Sequence, residues 1–292
     1  MDLRDSQHSS QQLTQLTRRQ FLLRNLALLT TAVLGEEIGG RNLIETTIHR
    51  VPVKNLREPM RVTQISDLHR SWCVSEHFVS QCVNKAIQTK PDAFLLTGDF
   101  VTGTANYSES CAAQLQRLNA PMGQFAILGN HDWGCNQGGG GREVAYNIAQ
   151  ADIRILTNRS FVLDNGLQIV GVDDAVAGHP DPDKAFRQIE WNRPVIAMTH
   201  NPILFKTKMC QYPCLTLAGH THGGQIKIPA VTPFIMKMRK THRNMPARYE
   251  HGWVEEPNAP GTMYVSRGLG VVGIPMRFRA RPEIVVFDLI PA

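Results

Sequence analysis

Gly219-His220-Thr221-His222-Gly223-Gly224-Gln225 follows the apolar run Leu215-Thr216-Leu217-Ala218, so two histidines sit where a buried strand ends and a loop begins. The glycines around them let the backbone turn tightly enough for both imidazoles to reach one centre. Imidazole is a common metal ligand, and the pair reads as part of a metal site. A His pair in a glycine loop also suits a polar surface turn, so the decision rests on what the neighbouring strands deliver.

Four earlier apolar strands end in the same way. Arg61-Val62-Thr63-Gln64-Ile65-Ser66 runs into Asp67-Leu68-His69, and Ala93-Phe94-Leu95-Leu96-Thr97 into Gly98-Asp99. Gln124-Phe125-Ala126-Ile127-Leu128 runs into Gly129-Asn130-His131-Asp132, and Pro194-Val195-Ile196-Ala197-Met198-Thr199 into His200-Asn201-Pro202. Ligands of α/β folds bind beyond the carboxyl ends of strands, so five strand endings carrying Asp, His or Asn point to one shared site.

Helical segments separate these strands. One starts at the cap residue Ser75, carries Phe78, Val79, Val83 and Ile87 at helical spacing and stops at Lys90-Pro91. Others are expected around Cys111 to Leu118, over Arg142 to Gln150, and after Asp181-Pro182, where Asp caps and Pro opens the helix. Residues 137–141, Gln followed by four glycines, read as an inserted loop, with a mobile lid as the alternative. Asn165-Gly166 between apolar runs signals a hairpin, and Leu43 to Val53 an edge strand.

The chain has 292 residues, 42% hydrophobic and 19% charged, which suits one large α/β domain over residues 43–292. A formal charge of +6 and a pI near 9.1 favour anionic partners. The six cysteines lack the paired spacing of a structural zinc site and read as free thiols, a Cys210–Cys214 disulfide being the alternative for an exported protein.

Residues 1–42 form a separate unit. Met1 to Leu16 is polar and expected to be disordered. Thr17-Arg18-Arg19-Gln20-Phe21-Leu22-Leu23 resembles a twin-arginine export signal, which implies the twin-arginine machinery as a partner. The apolar segment from Phe21 to Leu34 spans roughly 21 Å as a helix, short of a hydrocarbon core of about 30 Å, and fits a signal better than a stable span. With no clear cleavage site, an uncleaved anchor is the alternative.

The endings D-x-H, G-D, G-N-H-D, H and G-H-x-H, in this order, resemble those of the calcineurin-like metallophosphoesterase superfamily over residues 44 to 289. Gly219 to Gln225 and Val265-Ser266-Arg267-Gly268-Leu269-Gly270 are similar to its membrane-associated, often twin-arginine-exported bacterial branch, which includes some UDP-2,3-diacylglucosamine pyrophosphatases. The resemblance implies a four-layer α/β/β/α sandwich of two mixed sheets. It implies two divalent ions, with Asp67, His69 and His222 on one, Asn130, His200 and His220 on the other, and Asp99 bridging them. Mn, Fe or Zn suits that nitrogen and oxygen set better than Ca. It also makes His131 the general acid for the leaving oxygen, oriented by Asp132.

Departures narrow the class. Thr102 stands where a purple acid phosphatase would carry Tyr and many relatives Asp, so one contact behind the ligands is expected to be weakened. The protein phosphatase signatures G-D-x-x-D-R-G and G-N-H-E are absent. Arg267 is a candidate phosphate contact, or else a solvated loop cation. From Ile226 to Tyr249 lie Lys227, Lys237, Arg239, Lys240, Arg243 and Arg248 with no acid, interleaved with Phe234, Ile235, Met236 and Met238. Such a segment fits an anionic membrane surface, or a helix packed on the domain; without a series of stacking aromatics, nucleic acid is not expected.

The expected activity is hydrolysis of a phosphodiester or phosphomonoester of an envelope or lipid-linked substrate, outside the cytoplasm and at a membrane. The alternative is the pyrophosphate bond of UDP-2,3-diacylglucosamine in lipid A biosynthesis, which would place an anchored domain on the cytoplasmic face. A third reading is a scaffold that binds metal and membrane without turnover.

Overall fold

The structure is a computed structural model that describes residues 43–138, 140–227 and 245–292. The signal or anchor expected in residues 1–42 and most of the basic segment 226–249 lie outside the described residues. Among those described, no helix is long and apolar enough to cross a membrane.

Two six-stranded mixed sheets pack face to face. The first has the order β1 (Glu45–Val53), β12 (Glu283–Pro291), β2 (Met60–Ile65), β3 (Ala93–Leu96), β4 (Gln124–Ala126), β5 (Ile153–Ile155). The second runs β10 (Gly252–Glu255), β11 (Thr262–Val265), β9 (Leu215–Ala218), β8 (Val195–Met198), β7 (Gln168–Gly171), β6 (Arg159–Val162). Strands β2, β3, β4 and β5 are mutually parallel, as are β7, β8, β9 and β11. Burial on both faces explains why β3 (Ala-Phe-Leu-Leu) and β8 (Val-Ile-Ala-Met) are short apolar runs without alternation, while β2 also buries Thr63 and Gln64, each hydrogen-bonded, and β5 leaves Arg154 exposed. Each such run contributes several side chains worth about 1.5–3 kcal/mol apiece when fully buried.

One apolar layer lies between the sheets, around Leu95, Ile127, Ile169, Ile196, Leu217 and Phe287. Helices α1 (Glu76–Ile87), α2 (Tyr107–Leu115) and α4 (Gly141–Gln150) cover the outer face of the first sheet. The second is covered by the short α5 (Pro182–Phe186) and the turns at Phe205–Met209 and Ala247–Tyr249. This is the four-layer sandwich expected.

Local chemistry accounts for the helix starts. Ser75 caps α1 by accepting from Phe78 N–H at 3.2 Å, and Asp181 caps α5 by accepting from Lys184 N–H at 2.9 Å ahead of Pro182. Two expectations are corrected, and the reading of the cysteines as free thiols holds for Cys210 and Cys214. The helix expected around Cys111 to Leu118 is Tyr107–Leu115, because Ser108 and Ala112 are buried on the same face as Cys111 and Leu115. The expected loop 137–141 is a helix–helix junction: α3 (Asn130–Gly138) runs through Gln137, and α4 opens at Gly141, where the Trp133 ring leaves no room for a Cβ.

Candidate metal centre

The carboxyl ends of β2, β3 and β4 in one sheet and β8 and β9 in the other meet at two adjoining groups of buried side chains. Asp67, His69 and His222 form one, and Asp99, His200 and His220 the other, with ligand-type atoms inside each group within 4.8 Å of one another. His69 Nε2 is 3.0 Å from His222 Nε2, and Asp67 Oδ1 is 3.7 and 3.6 Å from the two. Asp99 Oδ2 is 3.4 Å from His69 Nε2 and 3.0 Å from His200 Nε2, so one carboxylate oxygen adjoins both groups.

Five of these six residues have positive φ: Asp67 at 54°, His69 at 52°, Asp99 at 56°, His220 at 73° and His222 at 55°. Left-handed backbone at a non-glycine residue costs on the order of 1–3 kcal/mol and persists where the surroundings over-determine it, typically at functional sites. Here backbone bonds hold it, from Asp67 N–H to Gly98 O at 3.0 Å and from His69 N–H to Asp99 O at 2.9 Å. The expectation that glycines would supply the turning in Gly219 to Gln225 is therefore only part of the answer. The histidines turn themselves, and Gly219, whose φ is not positive, is small because a Cβ would collide with Ser66 Oγ and Asp67 Oδ2.

A chain of buried hydrogen bonds aims Asp67. Gln64 Nε2 donates to Thr97 Oγ1 at 3.0 Å, Thr97 Oγ1 to Ser66 Oγ at 2.7 Å, and Ser66 Oγ to Asp67 Oδ2 at 2.5 Å. His220 N–H adds a bond of 3.0 Å to Asp67 Oδ1. Burial alone would raise this carboxyl, but the His222 and His69 imidazoles hold it below the usual carboxylate range. Asp99 is held well below it in the same way, by His200 and His131 against burial.

The donor set fits divalent cations. Imidazole nitrogens and carboxylate oxygens converge, and Asn130 Oδ1 is buried with no hydrogen-bond partner among the described residues. His200 Nδ1–H donates to Thr97 O at 2.7 Å, which directs Nε2 to Asp99; a carbonyl behind a ring is the usual way a metal-ligating histidine is oriented. His69 Nδ1 lies 2.5 Å from Thr102 Oγ1, so the contact expected to be weakened is present with a neutral hydroxyl in place of a carboxylate.

His131 lies beside both groups. Its ring meets His69 edge-on at 5.0 Å between centroids, and its backbone N–H donates to Asp99 Oδ1 at 2.8 Å. Burial outweighs the attraction of Asp99 and draws its imidazole below the ordinary histidine range.

Two roles read from the sequence are corrected. Asp132 does not use its carboxylate to orient His131: Oδ2 accepts from Asp99 and Gly129 N–H at 2.8 and 2.9 Å, and Oδ1 from Phe100 and Val101 N–H at 2.8 and 3.2 Å. As the third residue of α3 it reaches back to the residue before the helix, like the acid of a capping box. Arg267 is not a free phosphate contact. It pairs with Glu283 at 3.2 Å and Glu45 at 2.9 Å, and its stem covers Gly223.

Sequence reading missed Arg277, which is 2% exposed and stands with Nη2 3.2 Å from His222 Nδ1. Arg277, Arg279 and Arg281 alternate along one loop, and nothing in that pattern marks which of them turns inward. Ser66 and Thr97 were read as strand residues and nothing more.

A two-sheet α/β sandwich whose strand ends converge on adjoining His/Asp groups is the frame of a metal-dependent phosphoesterase. Residues 60–224, more than half of the chain, match the calcineurin-like phosphoesterase family, and the chain belongs to it. It is a hydrolase of phosphoric ester bonds. It is 31% identical to the uncharacterized metallophosphoesterase YkuE of Bacillus subtilis (strain 168), over 94% of this chain and 98% of that one. It is 30% identical to the phosphodiesterase YaeI of Escherichia coli (strain K12), over 94% and 100%. With the UDP-2,3-diacylglucosamine pyrophosphatase LpxG of Chlamydia muridarum (strain MoPn / Nigg) it shares 28% identity, over 78% and 82%.

Proposed function

We propose that this chain hydrolyses a phosphodiester or phosphomonoester of a cell-envelope or lipid-linked substrate, using two divalent cations drawn from Mn, Fe and Zn. Asp67, His69 and His222 would hold one, Asn130, His200 and His220 the other, and Asp99 both. The observation that carries the reading is Asp99 Oδ2 between His69 Nε2 and His200 Nε2, at 3.4 and 3.0 Å. When bound, the two cations would supply Lewis acidity to the phosphoryl oxygens and lower the pKa of an attacking water. His131, against His69 at the edge of the group, donates a proton to the leaving oxygen.

The envelope assignment is supported by the twin-arginine-like stretch Thr17 to Leu22 and by the basic, Met- and Phe-containing run from Lys227 to Arg248. On this reading the protein is exported and works at an anionic membrane surface outside the cytoplasm. The pyrophosphate bond of UDP-2,3-diacylglucosamine is the second substrate reading, supported by the name of the Chlamydia muridarum relative. It requires an anchored domain on the cytoplasmic side, where UDP-sugars are made.

The test is hydrolysis of bis-p-nitrophenyl phosphate and p-nitrophenyl phosphate by the purified protein with Mn²⁺, beside His131→Ala. A fall in kcat of roughly 10²–10⁴ in the variant, with cations still bound, is expected of a lost general acid. Release of UMP from the UDP-sugar in preference to either nitrophenyl ester would favour the second reading. Cation binding without turnover of any ester would leave the non-catalytic scaffold.

A further inference from the structure

We propose that the end of the sandwich carrying the His/Asp groups is the face that docks on an anionic phospholipid bilayer, with Trp72 and Ile274 as its apolar anchors. This deepens the membrane-surface reading above and rests on it.

Strand direction brings both of the segments that support that reading to this one end. β1 begins at Glu45, in register with Glu283 of β12, and Glu283 N–H donates to the carbonyl of Gly268, which lies against Asp67. Residues 1–42 therefore join the domain beside the candidate ligands, where Glu45 pairs with Arg267 and the Arg267 stem covers Gly223. Only residues 35–42 separate Leu34, the end of the apolar segment, from Leu43, and they reach about 30 Å at most. A compact domain over residues 43–292 is about 45 Å across, so a segment anchored at 21–34 could not hold the opposite end against the same bilayer. The basic run departs from this end too: Lys227 N–H donates to Phe278 O at 2.8 Å, a few residues after His222.

Two loops at this end expose large apolar side chains. Leu269 and Gly270 N–H donate to Ser66 and Asp67 O at 3.0 and 2.6 Å, so the segments that lead to Ile274 and to Trp72 leave the site side by side. Trp72 is 79% exposed and Ile274 54%. Both tips are held in place. Arg70 Nη1 brackets Trp72 by donating to Ser71 O and Val74 O at 2.6 and 3.0 Å. Gln225, from the same glycine loop as His220 and His222, donates Nε2 to Val272 O and Ile274 O at 3.1 and 2.8 Å and accepts from Val272 N–H at 2.9 Å. A fixed loop that keeps Ile274 in water contributes nothing to the core, whereas an indole beside it suits the headgroup level of a bilayer. Arg279 and Arg281, exposed just beyond the tip, are cations of the kind an anionic surface attracts. A domain docked this way turns its candidate cation ligands toward phosphates carried in the headgroup layer.

The test uses the full chain bound to vesicles of phosphatidylcholine and phosphatidylglycerol with brominated acyl chains, because bromine quenches the emission of an indole that enters the bilayer. All four tryptophans, Trp72, Trp133, Trp191 and Trp253, lie among the described residues, and Trp191 precedes β8 at the opposite end. Against unbrominated vesicles the parent is expected to lose emission and Trp191→Phe to lose as much. Trp72→Phe should lose at most about a third as much, and adding Ile274→Trp to it should bring the loss back. A vesicle-bound parent without quenching would overturn the proposal, and is the result expected if a second copy or the chain's own residues cover the two tips. Quenching that Trp72→Phe leaves unchanged would also overturn it, as would none in the chain carrying Trp72→Phe and Ile274→Trp. Equal quenching in vesicles of phosphatidylcholine alone would overturn the anionic preference. A parent that does not float with either kind of vesicle would overturn the membrane-surface reading itself.

Discussion

Asp99 N–H donates to Asp132 Oδ2 at 2.8 Å, so the residue adjoining both groups is held by a carboxylate that belongs to a different strand ending. Asp132 ties the turn after β3 to the start of α3 through four backbone N–H groups, and it is fully buried while doing so. Burial and the nearby Asp99 charge push its carboxyl up to about 8, against the pull of the Gly129 and Val101 N–H groups.

Asp132→Asn is therefore expected to act on the fold of the site rather than on proton transfer. An amide must turn its NH₂ toward backbone N–H groups, leaving buried donors unmet at a cost of about 2–4 kcal/mol. Urea denaturation of the metal-free protein measures this. Stability within about 0.5 kcal/mol of the parent would show that the four bonds do not hold the turn.

Thr102→Val keeps the shape of the side chain and removes the hydroxyl 2.5 Å from His69 Nδ1. The ring loses the group that fixes its rotation, and affinity for a cation at the Asp67–His69–His222 position should fall by roughly 10–100-fold with little change in melting temperature. Competition for Mn²⁺ against a chromophoric chelator reads this out. Affinity within twofold of the parent would leave Thr102 without that role.

These residues show where sequence reading works and where it stops. Strands β3, β8 and β9 were legible because burial on both faces writes them as largely apolar runs, and β2 and β4 because the chemical residues stand directly after them, as they do after the other three. Helix α3 was not, since Asn-His-Asp-Trp-Gly-Cys-Asn-Gln-Gly has no apolar period and is started instead by Asp132 reaching back to Gly129. Strands β5, β10, β11 and β12 were not legible in the same way, since none of them ends in an Asp or His of the shared site. Asp67, His69, Asp99, His200, His220 and His222 are brought together where the motifs implied. Of the partners behind them, Thr97 and Arg277 come from packing between segments far apart in the chain, and Ser66, next to Asp67, is itself bonded by Thr97.

Gly219→Ala tests the tightness of the site while leaving every candidate ligand in the sequence. The added methyl would collide with Ser66 Oγ and Asp67 Oδ2, displacing the short bond between them. The outcome expected is a folded protein, by circular dichroism, whose cation affinity and phosphodiester hydrolysis both drop at least about tenfold. A variant with parental affinity would mean that Asp67 can shift freely, contrary to the chain of bonds from Gln64.

Glu283 supplies the pH dependence of stability. Its carboxylate is fully buried and accepts from Thr47 Oγ1 at 2.9 Å, Tyr264 OH at 3.0 Å and Arg267 N–H at 3.0 Å, while pairing with the Arg267 guanidinium. Burial would raise its pKa, but His251 and Arg267 hold it below the ordinary glutamate value of about 4.3. Between the folded and unfolded values the unfolded chain binds the extra proton, so stability rises with pH there. The contribution is fully present above about pH 4.3 and lost as pH falls through the folded value. Glu283→Gln removes the charge and leaves the half-buried Arg267 with Glu45 alone, a loss of about 2–4 kcal/mol near neutral pH. In urea denaturation the gap between parent and variant should narrow steadily below about pH 4. A gap that stays constant down to acid unfolding would place the stabilisation in shape and hydrogen bonding, not in the charge of Glu283.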